Sequence, residues 1–460
     1  MAEYRDPQDR TDPSVASDQP VSRRRRSSAA PSRRGSQKND TTAGTSDLPQ
    51  DVQQQVVFGI FAVMLIGMTV FQKIGYSPNK ATVMPLIIAI SYAALGVGIL
   101  FAKPVFRPER LMLYLAVVVT STVSNLLFSR TYSLNSMALY YVLYLPFVVA
   151  FETQRATYRR CLEFFSTVML AFAVVVWLQH LTQFTVGWQY WPNLDKLVPK
   201  RFLIPEFNYL QPIEWGVNLM KPSGVAFLEV SILSQFLTFA LLIELLFLQR
   251  TWRAVFFGGT LFATFAGTGL LLLAVSLPIV LLKMNTRTFA IILATAFVAA
   301  FVALQLHWFD FVAHRFGEFQ VGGSSANSRF IAPLDRIRDA LADPTAVYAG
   351  VGAGQIERGG STFWWPLVKA SVEYGLVEGI LLYVFFFVAM LDHAPSKQLV
   401  FVLAIWFSFE ATLLTALNPL TCVMLSSMFY MREERPRRRR SSRLAEEDGA
   451  VAAAPVPALG

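Results

Sequence analysis

The chain has 460 residues, 54% of them hydrophobic and only 15% charged, with a formal net charge of +9. That balance excludes an ordinary soluble protein, because several stretches of about 18 or more mostly apolar residues read as membrane-spanning helices. The runs are continuous rather than alternating, which excludes a transmembrane β-barrel. The expected fold class is therefore all-α: a polytopic integral membrane protein, whose spans are helical because lipid offers backbone groups no partners.

Residues 1–51 are rich in Arg, Ser, Asp, Pro and Gln and poor in aromatics, the composition of a disordered tail. "RRRRSS" occurs there at 23–28 and again at 437–442, inside a second Arg-rich tail, 432–460. Such clusters hold both termini in the cytoplasm by the positive-inside rule; attraction to anionic membrane lipids is a second reading. No aromatics interleave the arginines, so nucleic acid is not an expected partner. No secretory signal is expected either: the first apolar stretch begins late and no small-residue cleavage site follows it.

Between the tails, 52–431 forms one transmembrane domain. Candidate spans fall at 55–72, 82–101, 111–129, 136–151, 161–179, 225–248, 254–266, 268–282, 288–306, 366–390, 398–415 and 418–431. That is about 12 helices, an even number, which puts both termini on one side. The loops "AKPVFRPER", "ETQRATYRR", "QRTWR" and "KMNTR" are basic and fall on the side of the termini. "QKIGYSPNK" and "RTYSLNS" fall opposite and carry fewer basic residues. Two spans are ambiguous. The apolar block 254–282 is interrupted by "AGTG" at 266–269, and two short helices meeting at the glycines fit the parity better than one long tilted helix. The last pair is split at Asn418-Pro419.

Two long loops, about 180–223 and 307–365, land on the outer side. Loops of this length are functional or disordered, and these carry Trp188, Tyr190, Trp191, Trp215, Phe363, Trp364 and Trp365. Their aromatic clusters read as an interfacial belt, with a sugar platform as the alternative. "PLDRIRDALADP" places Leu334, Ile337 and Leu341 on one helical face, giving a short amphipathic helix ended by Pro344. It is expected on the membrane surface or capping a cavity.

Polar chemistry concentrates on the same side. The cations are Lys200, Arg201, Lys221, Arg315, Arg329 and Arg358; the carboxylates are Glu214, Glu229, Glu318, Glu357 and Glu373. Solvated loop charge with some ion pairing is the plain alternative for each. It fits Glu229 and Glu373 poorly, since "FLEVS" and "KASVEYGL" set them in the first turns of apolar helices. They are either carboxylates placed favourably at helix N-termini or a general base and ligand facing a water-filled cavity. "GVGAGQ" at 350–355 follows the amphipathic helix rather than a strand, so it reads as a tight turn requiring positive φ, not a dinucleotide fingerprint. Cys161 and Cys422 lie in apolar runs, and the four histidines are scattered, so no metal site is expected.

"KPSGVAFLEVSILSQF" (221–236), "FAGTGLLLLAVSLPIVLL" (265–282), "GGSSANSRF" (322–330) and "GVGAGQIERGGSTFWWPLVKASVEYGL" (350–376) occur in this order. Together they resemble the Wzy-type polymerase and O-antigen ligase superfamily, most closely its exopolysaccharide polymerases of the xanthan and acetan type. The resemblance implies a metal-independent, cofactor-free glycosyltransferase at the periplasmic face of the bacterial inner membrane. Its substrate would be an undecaprenyl-diphosphate-linked oligosaccharide, and polysaccharide chain-length or export proteins would be its possible partners. Arg329 matches the family arginine of "SSANSRF". Lys221 stands where the family usually has arginine, which keeps the charge and loses the bidentate fork. These two are the expected leaving-group clamp, with Arg315, Arg358 and Arg201 as supporting cations and Trp364 and Trp365 as further substrate contacts. The superfamily's ligases carry a catalytic histidine after the glycine turn; "ERGGSTFWWPLVKASVEYGL" has none, so Glu373, Glu229 and Glu357 are the candidate bases. The broken helix reads "GTG" where many members have a serine-arginine pair. The competing readings are a glycan ligase and a precursor transporter or flippase. Broken helices suit the transporter; the absence of an internal repeat and the outer position of the polar groups count against it.

Overall fold

The computed structural model describes residues 49–79, 82–129, 131–204, 210–213, 218–281, 290–291, 294, 297–298, 327–342, 344–356 and 364–431. The expectations for both basic tails, apart from residues 49–51, and for the span at 288–306 lie outside the described residues or almost wholly so.

Helices dominate. α1 is Gln50–Val70, α2 Leu86–Phe101, α3 Pro108–Leu127, α4 Leu134–Tyr144 and α5 Arg155–Thr185. A short α6, Leu194–Leu197, lies in the first long loop. α7 is Val230–Ile243, continued by a π-turn to Leu248; α8 is Thr251–Ala263 and α9 Gly267–Leu281. α10 is Ala332–Leu341, α11 Pro344–Ala349, α12 Pro366–Tyr374, α13 Leu376–Leu391, α14 Lys397–Phe409 and α15 Leu417–Cys422. Among the described residues four helices are long and apolar enough to cross a membrane: α1, α3, α5 and α7 with its π-turn. Their starts follow ordinary rules. Pro108 and Pro366 occupy first-turn positions where a missing N–H costs nothing. Ser133 and Ser396 cap α4 and α14 by accepting from Ser136 N and Leu399 N.

Among the described residues the helices are joined by two small sheets that the all-α expectation did not contain. β1, Gly75–Asn79, pairs antiparallel with β2, Thr82–Pro85, so α2 begins at Leu86 rather than at 82. β3, Pro104–Phe106, and β5, Phe429–Met431, flank β4, Val149–Thr153, which pairs antiparallel with the first and parallel with the second. These sheets satisfy the backbone of connections that helices cannot satisfy at their ends.

Loops assigned to one side by span parity meet at one end. The three-stranded sheet joins the 102–107 loop, the 149–153 loop and the last described residues. Arg110 is fully buried beside it, with Nε 3.1 Å from Asp392 and its terminal nitrogens donating to the carbonyls of Phe147, Ser427 and Asp392. At the other end Ile74 bridges Leu203, Lys73 meets Asp195, and Ser133 N donates to Ala353 O. Replacing Arg110 leaves three carbonyls without its guanidinium and the Asp392 carboxylate with Arg107 in its place, 3.2 Å away, a loss of about 3 kcal/mol. Arg110→Ala is therefore expected to remove the monodisperse peak in fluorescence-detected size exclusion, and Arg110→Lys to restore little of it, because an ammonium cannot reproduce the fork.

Several boundaries differ from those expected. α5 covers 31 residues, about 46 Å at 1.5 Å per residue, so it projects beyond a hydrocarbon core of about 30 Å. The helix expected over 366–390 divides at Gly375, whose φ of 97° no other residue adopts readily and whose Cβ position lies 2.2 Å from Tyr348 O. The last break falls at 410–416, not at Asn418-Pro419: Pro419 sits in the first turn of α15, where it needs no N–H partner. The block 254–282 is two helices, as expected. Phe265 turns the chain with φ 53°, and Thr264 Oγ1 takes the N–H of Ala266. At 13 and 15 residues, neither α8 nor α9 spans about 30 Å. Their junction is irregular backbone kept inside protein, with Thr264 and Ala266 buried.

Candidate functional site

α7 and α9 both begin at the end opposite the three-stranded sheet and meet there. Ser234 Oγ accepts from Gly269 N at 3.1 Å and lies 3.2 Å from Thr268 Oγ1, while Thr238 Oγ1 donates to Gly269 O at 2.8 Å. A Cβ at Gly269 would lie 2.6 Å from Ser234 O, so the final glycine of "GTG" permits the backbones to touch. Two helix N-termini, each with a partial positive charge, converge on one region.

Glu229 stands at that junction. The span expected to start at 225 starts at Val230, and Glu229 is the extended residue ahead of it (φ −142°, ψ 156°). Its Oε2 accepts from Ser231 Oγ at 2.8 Å. The same oxygen lies 4.0 Å from a terminal nitrogen of Arg329, the two side chains being 21% and 22% exposed. Arg329 comes from a one-turn π-helix, Asn327–Ile331, that leads into α10. Trp365 Nε1 holds its carbonyl at 3.0 Å, and the Trp365 ring packs edge-on against Phe409. Glu410, just beyond α14, lies within electrostatic reach of Arg329 and beside Gln235, whose Oε1 accepts from the buried Trp406 at 3.0 Å. Glu229 and Glu410, from two separate segments, thus face one guanidinium, and a third segment at Trp365 holds its backbone.

The backbone before Glu229 is held by glutamines. Gln183 Oε1 accepts from Met220 N, Gln179 Oε1 from Gly224 N and Gln72 Oε1 from Leu228 N. This is why 221–229 is not helical: side-chain amides replace the helix's own acceptors. Gly224 and Val225 both have φ 65°, and Ala226 N donates to Gly224 O, forming a tight γ-turn. Sequence reasoning passed over these glutamines. Gln179 and Gln183, four apart on an apolar helix, were the available signal.

The other expected site residues are distributed. Lys221 is half-buried, its N–H donating to Gln211 O at 2.7 Å. Arg201 is exposed, with its guanidinium 4.7 Å from the Phe202 ring centre. Trp364 is half-buried beside Trp365. Arg315, Glu357 and Arg358 lie outside the described residues, as do Glu214 and Glu318.

Glu373 sits fully buried under the glycine turn. Its Oε1 accepts from Gly354 N at 3.1 Å and lies 3.9 Å from Lys369 Nζ, and its carbonyl accepts from Gly352 N. Gly350, Gly352 and Gly354 have φ of 77°, 109° and 69°, the tight turn expected from "GVGAGQ". A Cβ at Gly352 would lie 2.1 Å from Thr131 O. Backbone strain alone costs about 1–3 kcal/mol at such a position, so Gly352→Ala is expected to lower the thermal unfolding midpoint of the detergent-solubilised protein by several degrees. The amphipathic helix appears as α10, with Leu334 and Leu341 exposed, but Pro344 opens α11 after it.

Among the described residues no three or more His, Cys, Asp or Glu side chains gather as metal ligands would. The model of the WcaD colanic acid polymerase family matches residues 81–406, a range that includes Glu229, Arg329 and Trp365. No curated protein and no solved structure matches the chain.

Proposed function

The chain belongs to the WcaD colanic acid polymerase family, and we propose that it elongates a lipid-linked glycan at the periplasmic face of the bacterial inner membrane. Oligosaccharide repeats on undecaprenyl diphosphate are the substrates in this reading. The growing chain moves en bloc from its lipid diphosphate to a hydroxyl of the incoming repeat. The acceptor hydroxyl loses a proton, its oxygen bonds to the anomeric carbon, and the bond from that carbon to the diphosphate breaks.

The observation that supports this reading best is the Arg329–Glu229 pair at the junction of α7 and α9. The leaving diphosphate gains negative charge as its bond breaks. A guanidinium meets that charge with paired donors, and two helix N-termini add to the field. A separation of 4.0 Å is beyond hydrogen-bond reach, so Glu229 holds Arg329 loosely. Diphosphate is the stronger partner. Once it takes the guanidinium, the Glu229 carboxylate can orient the acceptor hydroxyl and take its proton. Lys221 is a further cation in this reading, and Arg315 and Arg358 are supporting contacts.

The test is the glycan pool of a deletion strain. Single lipid-linked repeats should accumulate at the outer face while longer chains vanish. An unchanged chain-length distribution, with repeats retained in the inner leaflet, would assign the protein to transport instead.

A further inference from the structure

Apart from the Arg329–Glu229 junction, the outer end contains a cavity of about 340 Å³. Small-molecule sites run from about 300 to 1,000 Å³. Its walls come from the outer end of α5, the loop after it, Lys73 and the turn at Ser223 and Val225. Trp188 and Trp191 line it together with Gln179, Asn193, Lys73 and Asp195.

The lining combines two chemistries. Both indole N–H groups are already engaged: Trp188 donates to Asn218 Oδ1 and Trp191 to Gln179 O, each at 2.8 Å. The rings are thereby fixed, and what they give the cavity is carbon surface. Beside them Lys73, only 3% exposed, approaches Asp195 Oδ1 to 3.4 Å. Burial lowers the Lys73 pKa, and Asp195 opposes that shift. A sugar ring has the matching character, with apolar C–H faces for indole and a rim of hydroxyls that both donate and accept. An acyl or prenyl tail would bury the Lys73–Asp195 pair against hydrocarbon, at a cost in desolvation. A phosphate would meet Lys196 but also the Asp195 carboxylate, and it has no apolar face to set against the indoles.

The cavity is also joined to the reaction centre. Gln179, in its wall, holds Gly224 N, and Val225, in the same wall, is a β-branched residue at φ 65°. Backbone in that state persists only where its surroundings over-determine it. Glu229 follows Val225 after a short stretch of turn and bend at 226–228. We propose that this cavity is a saccharide subsite that seats a sugar ring of the repeat unit and sets the reach of the adjoining chain to Glu229; this rests on the polymerase reading.

The probe is the free oligosaccharide released by mild acid from the lipid-linked pool of a deletion strain. Saturation-transfer NMR is recorded with full-length protein in lipid nanodiscs, and the same preparation is assayed for elongation of the lipid-linked repeat. Wild type should transfer to the sugar protons. Trp188→Ala should weaken binding at least about tenfold, and Trp188→Tyr should restore most of it. Should Trp188→Ala fail to accumulate, Trp188→Leu keeps bulk without the aromatic face and reads the same outcome. Wild type that elongates without transfer, or an alanine or leucine variant that binds as wild type does, overturns the subsite alone. Wild type that neither elongates nor binds overturns the polymerase reading and the subsite with it.

Discussion

Arg329→Ala is expected to reduce elongation by about two to three orders of magnitude, the scale of removing one donor aimed at developing charge. The protein itself should persist. The Arg329–Glu229 pair is at the 4.0 Å limit and both side chains are partly exposed, and such a pair adds about 0–1 kcal/mol to stability. Membrane levels and the size-exclusion profile should therefore match wild type, while lipid-linked single repeats replace the ladder of longer chains on a gel. Arg329→Lys separates charge from geometry. An ammonium supplies the field without the fork, so its rate should fall between the two. A fully active Arg329→Ala variant would remove the guanidinium from the leaving-group role.

Glu229→Gln tests the other half of the pair and should lower turnover by about 10²–10⁴-fold, the usual contribution of a positioned acid or base. Glutamine keeps the shape of the side chain and can still accept from Ser231 Oγ, which now donates to Oε2 at 2.8 Å. It cannot take a proton. If Glu229 served only to hold Arg329, the glutamine variant would keep a large share of its rate. Separate determinations of kcat and KM distinguish the outcomes: loss of the base lowers kcat with KM little changed, and loss of Arg329 positioning lowers kcat and also raises KM for the lipid diphosphate it binds. Turnover within a few-fold of wild type would exclude Glu229 as the base.

The fold was legible in the sequence where the signal is local. The break in 254–282, the helix over 332–341 and the glycine turn at 350–355 each follow from neighbouring residues. Boundaries failed where distant partners intervene. The 225–229 segment is apolar enough for helix, yet Gln72 takes the Leu228 N–H from 156 residues away and Gln179 holds Gly224 N, just before the segment, from 45 residues away. α5 runs past its expected end at 179, and Gln183 in that extension holds Met220 N, a long-range contact that hydropathy does not register. The candidate site is a case of residues without their pairing. Arg329 and Glu229 were both named from the sequence, but nothing in it joined them. Glu373 looked equivalent to Glu229, a carboxylate near the start of an apolar helix, and the structure places it under the glycine turn with Lys369.

By itself the sequence determined that the chain is a membrane-embedded, mostly helical protein. Hydropathy and charge bias are summed along the chain, and lipid enforces them on each segment separately. Only the tertiary structure decided which polar groups meet. In an apolar interior each buried charge or amide must find a partner, and packing selects that partner from anywhere in the chain. Lys73 thus finds Asp195 122 residues on, the tryptophans after α5 line a cavity instead of only edging the membrane, and Arg329 reaches Glu229.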